Sequence, residues 1–308
     1  MTHSLKIIGY ILAVLSLTGC FTGIESTPKI TANDVKKEKV VISPEEKYLA
    51  DIKPVPFRDW KAGKLFFVTD DKISLALEPS GVRPPTAGTI LSYVNYTPVL
   101  ALTGETETQL KFIDSDGNPV YFRVSTNPEE IKTRDKIEIP FTIEMSLVDQ
   151  TREKLLGKNL YVRTSHWFDN NGDSRRGMKF IPVKITDVQP GNMVYPVKVF
   201  FTAPGDSGTS PHLLMSVGEN SKTARSFASL FYFDNPHKLY PSISDENWEL
   251  ITKGLVKQYM TREECRLALG APNSIDRHAG ISTLQERWGY ENGIYLIFDD
   301  GLLQSFRR

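Results

Sequence analysis

Gly205-Asp206-Ser207-Gly208 is the stretch that most directly suggests catalysis, because a serine in such a setting is a candidate nucleophile. The chemistry needs a histidine base and an orienting aspartate, in the chain order His, Asp, Ser. His166 and Asp187 stand in that order, but their spacing to Ser207 is far too short for the serine-protease pattern, and Thr209 replaces its second glycine. Ala203 to Gly208 also has the composition of a surface loop. Asp169, Asn171 and Asp173 alternate as the ligands of a calcium loop do. Ser174 occupies the place of the required glycine and Phe180 that of the bidentate glutamate, so a polar hairpin is the better reading. His166, His212, His237 and His278 are scattered, and neither they nor the two cysteines, Cys20 and Cys265, show metal-ligand spacing. Cys265, on the inner side of a short helix, should behave as a small apolar residue. The expectation is a protein without catalytic residues, metal or cofactor.

Composition narrows the partners. The 308 residues include 37 Lys plus Arg against 37 Asp plus Glu. A balanced charge excludes the basic footprint that nucleic acid requires and a polybasic membrane patch.

The first residues carry a different chemistry. Ile7 to Leu17 is an apolar run of about eleven residues, too short to span a bilayer. It ends in Leu17-Thr18-Gly19-Cys20. This resembles the lipobox of bacterial lipoproteins, which implies a signal peptide over residues 1–20 and acylation of Cys20. Several acyl chains would anchor the protein stably. Phe21 stands where an aspartate would retain an enteric lipoprotein in the inner membrane, so the outer membrane of a Gram-negative bacterium is the expected location. Residues 21–56 read as a flexible tether, polar and interrupted by Pro28, Pro44, Pro54 and Pro56, with a helical turn at Glu45 to Leu49. Its reach would be on the order of 30–35 Å.

From about Trp60 to Tyr240 the chain is strand-rich, and it repeats itself. Gly63-Lys64-Leu65-Phe66-Phe67-Val68-Thr69 matches Gly157-Lys158-Asn159-Leu160-Tyr161-Val162-Arg163-Thr164. Gly88 aligns with Gly177, Val94 with Val183, Thr97 with Thr186, Val99 with Val188, and Leu110-Lys111-Phe112 with Val197-Lys198-Val199. Two related units follow, 57–150 and 151–240, each of about five short strands. That number suits small, partly open barrels of the Src-homology type. Asp116-Gly117-Asn118-Pro119 marks a hairpin in the first unit and Asn170-Asn171-Gly172-Asp173 its counterpart in the second.

Residues 241–308 are the best punctuated. Asp245 and Glu246 open a helix whose apolar face is Trp248, Ile251, Leu255 and Val256. Thr261 and Glu264 form a capping box, Met260 and Cys265 a hydrophobic staple, and Gly270 with Pro272 a left-handed stop. Leu284, Trp288 and Tyr290 alternate on a strand. Asn292-Gly293 and Asp300-Gly301 then mark two tight turns, so a three-stranded meander is expected.

Met260-Thr261, Glu264, Leu269-Gly270-Ala271-Pro272, Trp288-Gly289-Tyr290, Tyr295 to Phe298 and Asp300-Gly301-Leu302 together resemble the SmpA/OmlA (BamE-like) family of outer-membrane lipoproteins. Tyr259 stands where that family has glycine. The resemblance covers about a fifth of the chain and implies an αα-βββ binding or scaffold module with no catalytic site. The whole reads as a mixed, mostly β protein: two small β-barrel-like units followed by this α+β domain. The expected function is that of a lipid-anchored, non-catalytic envelope protein with a protein partner, acting in outer-membrane assembly or integrity. The alternatives from other classes are an envelope hydrolase or cell-wall-binding accessory, and a protein inhibitor of an envelope enzyme.

Overall fold

A computed structural model describes residues 42–307 other than Val82, Asp206, Ser207, Thr209, 219–224 and 280–283. Cys20, the expected signal peptide and most of the expected tether therefore lie outside the described residues. The described chain is mostly β, in three antiparallel sheets, none closed into a barrel.

The first sheet holds β1 (Leu65–Val68), β2 (Ile90–Leu100), β3 (Thr106–Ile113), β4 (Pro119–Val124) and β5 (Thr142–Glu144), in the order β4-β3-β2-β1-β5. Alternation decides which face is buried. Phe66, Val68, Leu91, Tyr93, Leu110 and Phe112 point into one core. Asp116-Gly117 makes the expected β3–β4 turn, with Gly117 at φ +85°. A short helix, α1 (Pro44–Tyr48), precedes this sheet, and α2 (Pro128–Ile131), capped by Asn127, precedes β5.

The second sheet holds β6 (Asn159–Val162), β7 (His166–Phe168), β8 (Ser174–Arg176), β9 (Pro182–Pro190), β10 (Val197–Thr202), β11 (His212–Met215) and β12 (Phe231–Tyr232). Its order is β12-β6-β9-β10-β11-β7-β8. Without β7–β8 this is the order of the first sheet, with β12 in the place of β5. The detail repeats too. Gly63 N–H bonds to the Tyr93 carbonyl at 2.8 Å, and Gly157 N–H to the Ile185 carbonyl at 2.9 Å. A bulge skips Val94 in the first sheet and Thr186 in the second. A short helix, α4 (Phe227–Leu230), precedes β12 as α2 precedes β5; α3 (Met145–Leu155) follows β5.

These pairings correct the register read from sequence. Leu91 and Tyr93 pair with Phe66 and Phe112 as Val183 and Ile185 pair with Leu160 and Phe201. Val183 therefore corresponds to Leu91, not Val94, and Val199 to Leu110. The β7–β8 hairpin is an insertion that displaces the match. Asn170 to Asp173 turns that inserted hairpin; the counterpart of Asp116-Gly117 is the β10–β11 loop that contains Gly205-Asp206-Ser207-Gly208.

The boundaries drawn from sequence are crossed by packing. The expected break at residue 150 falls inside α3, whose Val148 and Leu155 join the core of the second sheet. The same core takes Leu49 and Ile52, so the end of the expected tether is a packed segment. Its helical turn is α1, with a Ser43–Glu46 capping box.

In the third region, α5 (Asp245–Thr252) and α6 (Arg262–Leu269) cover a sheet of β13 (Ser274–Ala279), β14 (Leu284–Gly289), β15 (Tyr295–Asp299) and β16 (Leu302–Arg307). It is four-stranded, not three-stranded. The extra strand β13 is exposed throughout and has no apolar alternation to announce it. Gly254 at φ +67° follows the end of α5, so Leu255 and Val256 lie beyond the helix. Thr261 and Glu264 form the capping box, and Met260 and Cys265 are buried together. Gly270 has φ +92° but ψ −171°, an extended glycine conformation and not the left-handed one expected. Asp300 and Gly301 both have positive φ, as a primed turn requires. A 3-10 turn, Glu291–Gly293, replaces the other expected tight turn.

Candidate functional site

An apolar recess lies where the two related sheets meet. Lys136 to Ile139 leads, through a turn at Pro140-Phe141, into β5, the edge strand of the first sheet. Ile137 and Ile139 turn inward, while Lys136 and Glu138 pair outside at 2.6 Å. Leu147 of α3 and Met193 and Pro196 of the β9–β10 hairpin close the other side. The resulting groove has a volume of about 440 Å³. Met193 stands at its rim, 51% exposed.

At one end of the groove lies a buried ion pair. Glu144 and Lys64 side chains are each 9% exposed, with Nζ 2.5 Å from Oε1. The same oxygen accepts from Val55 N–H at 2.9 Å and from the Ser146 hydroxyl. Lys64 Nζ lies 5.3 Å from the Trp60 ring centre and 5.6 Å from that of Phe66. A buried charge persists only with such compensation. The arrangement ties the Val55 segment to the junction of β5 and α3, so it shapes the groove and leaves the carboxylate committed. Eighty residues separate the partners, and the repeated Gly-Lys dipeptide is the one sequence signal. In the second copy Lys158 likewise lies over a ring, that of Tyr48, at 5.8 Å.

His166 and Asp187, two of the residues that suggested catalysis, are not brought together. His166 on β7 and Asp187 on β9 are separated by β11 and β10, three strand spacings or about 14 Å. Asp187 is held by Val188 N–H and Gln189 at 2.8 Å each. Asp206, Ser207 and Thr209 lie outside the described residues. In the calcium-like hairpin, Asp169 Oδ1 already accepts the N–H groups of Asn171 and Asp173 at 2.9 and 3.0 Å. His237 stacks on Trp248 at 4.5 Å, and His278 is exposed on β13. Burial drives the Cys265 thiol up to about 12, which suits a packed, unreactive residue.

His212 is buried between Phe168 and Phe200, whose rings lie 5.6 and 5.0 Å away. Burial, aided by Lys198, pushes its pKa down to about 4. The folded protein thus binds fewer protons than the unfolded chain between pH 4 and 6.5, and stability falls as pH drops through that window. His212→Leu should flatten this acid limb, recovering about 2–3 kcal/mol near pH 4. Urea titrations at pH 7 and pH 4 would measure it.

In the third region, Glu264 Oε2 accepts from Thr261 N–H at 2.7 Å and its Oε1 from Asn247 at 2.5 Å, joining α6 to α5. Glu286 is buried against Arg262 at 3.1 Å, Arg277 at 3.2 Å and the Trp288 indole at 3.0 Å. These contacts hold its carboxyl below the usual range against the opposing effect of burial. Tyr259, where the resembled family has glycine, adopts φ +68° with its side chain 67% exposed. Its N–H bonds to Leu303 O at 2.7 Å and Leu303 N–H returns to Met260 O at 2.8 Å, which fixes the turn against β16. A left-handed tyrosine costs about 1–2 kcal/mol. Tyr259→Gly should therefore stabilise the protein by about 1 kcal/mol, read as a rise in the urea midpoint.

In comparisons with known proteins the chain matches no family model, no curated protein and no solved structure at the significance required.

Proposed function

We propose that this is a lipid-anchored, non-catalytic protein of the Gram-negative outer membrane that acts as a binding or scaffold module in outer-membrane assembly or integrity. The observation that carries the binding role is the groove beside β5, which pairs an edge strand with an apolar trough and an exposed methionine at the rim. Edge strands and apolar grooves take extended peptide segments through backbone bonds and side-chain pockets. The partner is an extended, apolar segment of another envelope protein.

The anchor rests on the Leu17 to Cys20 lipobox. The BamE-like reading of residues 241–308 rests on the sequence motif and is supported by Tyr259, which keeps a positive φ where the family has glycine. The two β units are read as copies of one Src-homology-type unit. Their shared order, with the last strand returning beside the first after a short helix, supports that reading.

A photoreactive residue at Met193, introduced in living cells, should cross-link to a defined envelope protein, while one at exposed Lys184 should not. Equal adducts at both positions would remove the groove as the binding site. Cys20→Ser should abolish fatty-acid incorporation and release the protein from the membrane fraction; retention of label would remove the anchor.

A further inference from the structure

The second sheet departs from the shared plan by one hairpin, β7–β8, set between β6 and β9. The first sheet has a 3-10 turn, Asp71–Leu75, at that point of the chain. The insertion helps to build a pocket of about 370 Å³. Trp167, Arg175 and Arg176 come from the hairpin, Ala203 and Pro204 from the β10–β11 loop, and Lys253 from the end of α5.

Charge sets this pocket apart. Two arginines and a lysine line it, and among the described residues no carboxylate does. Arg175 and Arg176 have no carboxylate within 4 Å among the described residues, and Lys253 reaches only Glu249, on the exposed side of α5, at 2.6 Å. A fourth cation, Lys179, is half-buried next in the chain to Met178, close enough for Arg176 to disfavour its charge; burial and that repulsion lower its pKa to about 8. Like charges gathered at one site repel one another, and a bound anion relieves that repulsion. The floor is apolar. Gly177 lets the Trp167 ring lie against the strand end, since a Cβ there would sit 2.2 Å from the ring.

We propose that the pocket binds a phosphate group borne on a ligand with an apolar portion. Guanidinium forks with an ammonium are suited to phosphate oxygens, and Trp167 with Pro204 offers a surface for the ligand's carbon part. The site does not depend on the groove or on the protein partner.

The test uses the full chain with a ¹⁵N-labelled Trp167 indole, identified by its absence in Trp167→Phe. The probes are inorganic phosphate, a short-chain phosphatidic acid and acetate. Arg176 is left in place because it packs against Gly254; the variant is Arg175→Gln with Lys253→Gln, and Lys184→Gln is the control. Phosphate should shift the indole resonance saturably, with affinity at least about tenfold lower in the double variant and unchanged in the control. Phosphatidic acid should bind more tightly than phosphate, because its apolar portion meets Trp167 and Pro204; equal binding would overturn the ligand class proposed. No saturable shift with either phosphate probe, an undiminished shift in a double variant of native circular dichroism, or equal response to acetate would overturn the proposal.

Discussion

Replacing Glu144 by alanine should destabilise the protein by about 3–5 kcal/mol, the cost of leaving a buried partner charge uncompensated. Lys64 would lose its carboxylate 2.5 Å away, and the aromatic rings of Trp60 and Phe66 cannot replace it. Val55 N–H and the Ser146 hydroxyl would lose the same acceptor, which loosens the segment that frames the groove. The second substitution tells charge from packing. Adding Lys64→Met to Glu144→Leu removes both charges and should return stability to within about 1 kcal/mol of wild type, because apolar side chains then fill the space. Urea denaturation of wild type, Glu144→Leu, Lys64→Met and the double variant closes the cycle. A loss below about 1 kcal/mol for Glu144→Ala would show that the pair is solvated and that the groove does not depend on it.

Trp288→Ala should cost a similar amount, about 3–5 kcal/mol, for a different reason. The indole is buried in the core beneath α5 and α6, 4.7 Å from Phe298 and beneath the Arg266 guanidinium at 5.2 Å. Its removal leaves a cavity and takes a hydrogen bond from Glu286, which is itself buried. Trp288→Phe keeps most of the packing and loses the bond, so about 1–2 kcal/mol is expected. The loss should not stay local. Phe180 stacks on Trp248 at 5.5 Å and ties this region to the second sheet. Unfolding followed by circular dichroism should show both regions weakened together. A separate early transition confined to residues 241–308 would mean that the stack contributes little.

How much of this was legible in the sequence follows from the range of the forces involved. Thr261 with Glu264 and Asp300 with Gly301 could be read because cap and turn chemistry acts within four residues. The inward face of β3 was legible from the alternation of Leu110 and Phe112 with Gln109 and Lys111, whereas β1, apolar from Leu65 to Val68, has no alternation to read. β13 was not, because Ser274 to Ala279 has no buried face and owes its strand to pairing with β14. The repeat was visible at Gly63-Lys64 and Gly157-Lys158, but the inserted β7–β8 hairpin shifted the rest of the alignment onto the wrong faces. The groove was hidden for a stronger reason. Its walls come from residues near 54, 137, 147 and 193, and nothing local in the chain records that they meet. Lys136-Ile137-Glu138-Ile139-Pro140 does carry an alternation that could have marked the extended segment beside β5.

The central claim, that the protein binds a partner at the outer membrane and catalyses nothing, is tested most directly by in-cell cross-linking and purification from solubilised envelope. Wild type would be compared with a chain truncated before Asp245 and with Met193→Asp. The account predicts capture of subunits of the outer-membrane assembly machinery by wild type and loss of that capture in Met193→Asp; the truncated chain, which keeps every residue of the groove, should retain it at least in part. Undiminished capture of the same proteins by Met193→Asp, or capture of no envelope protein by wild type, would contradict it.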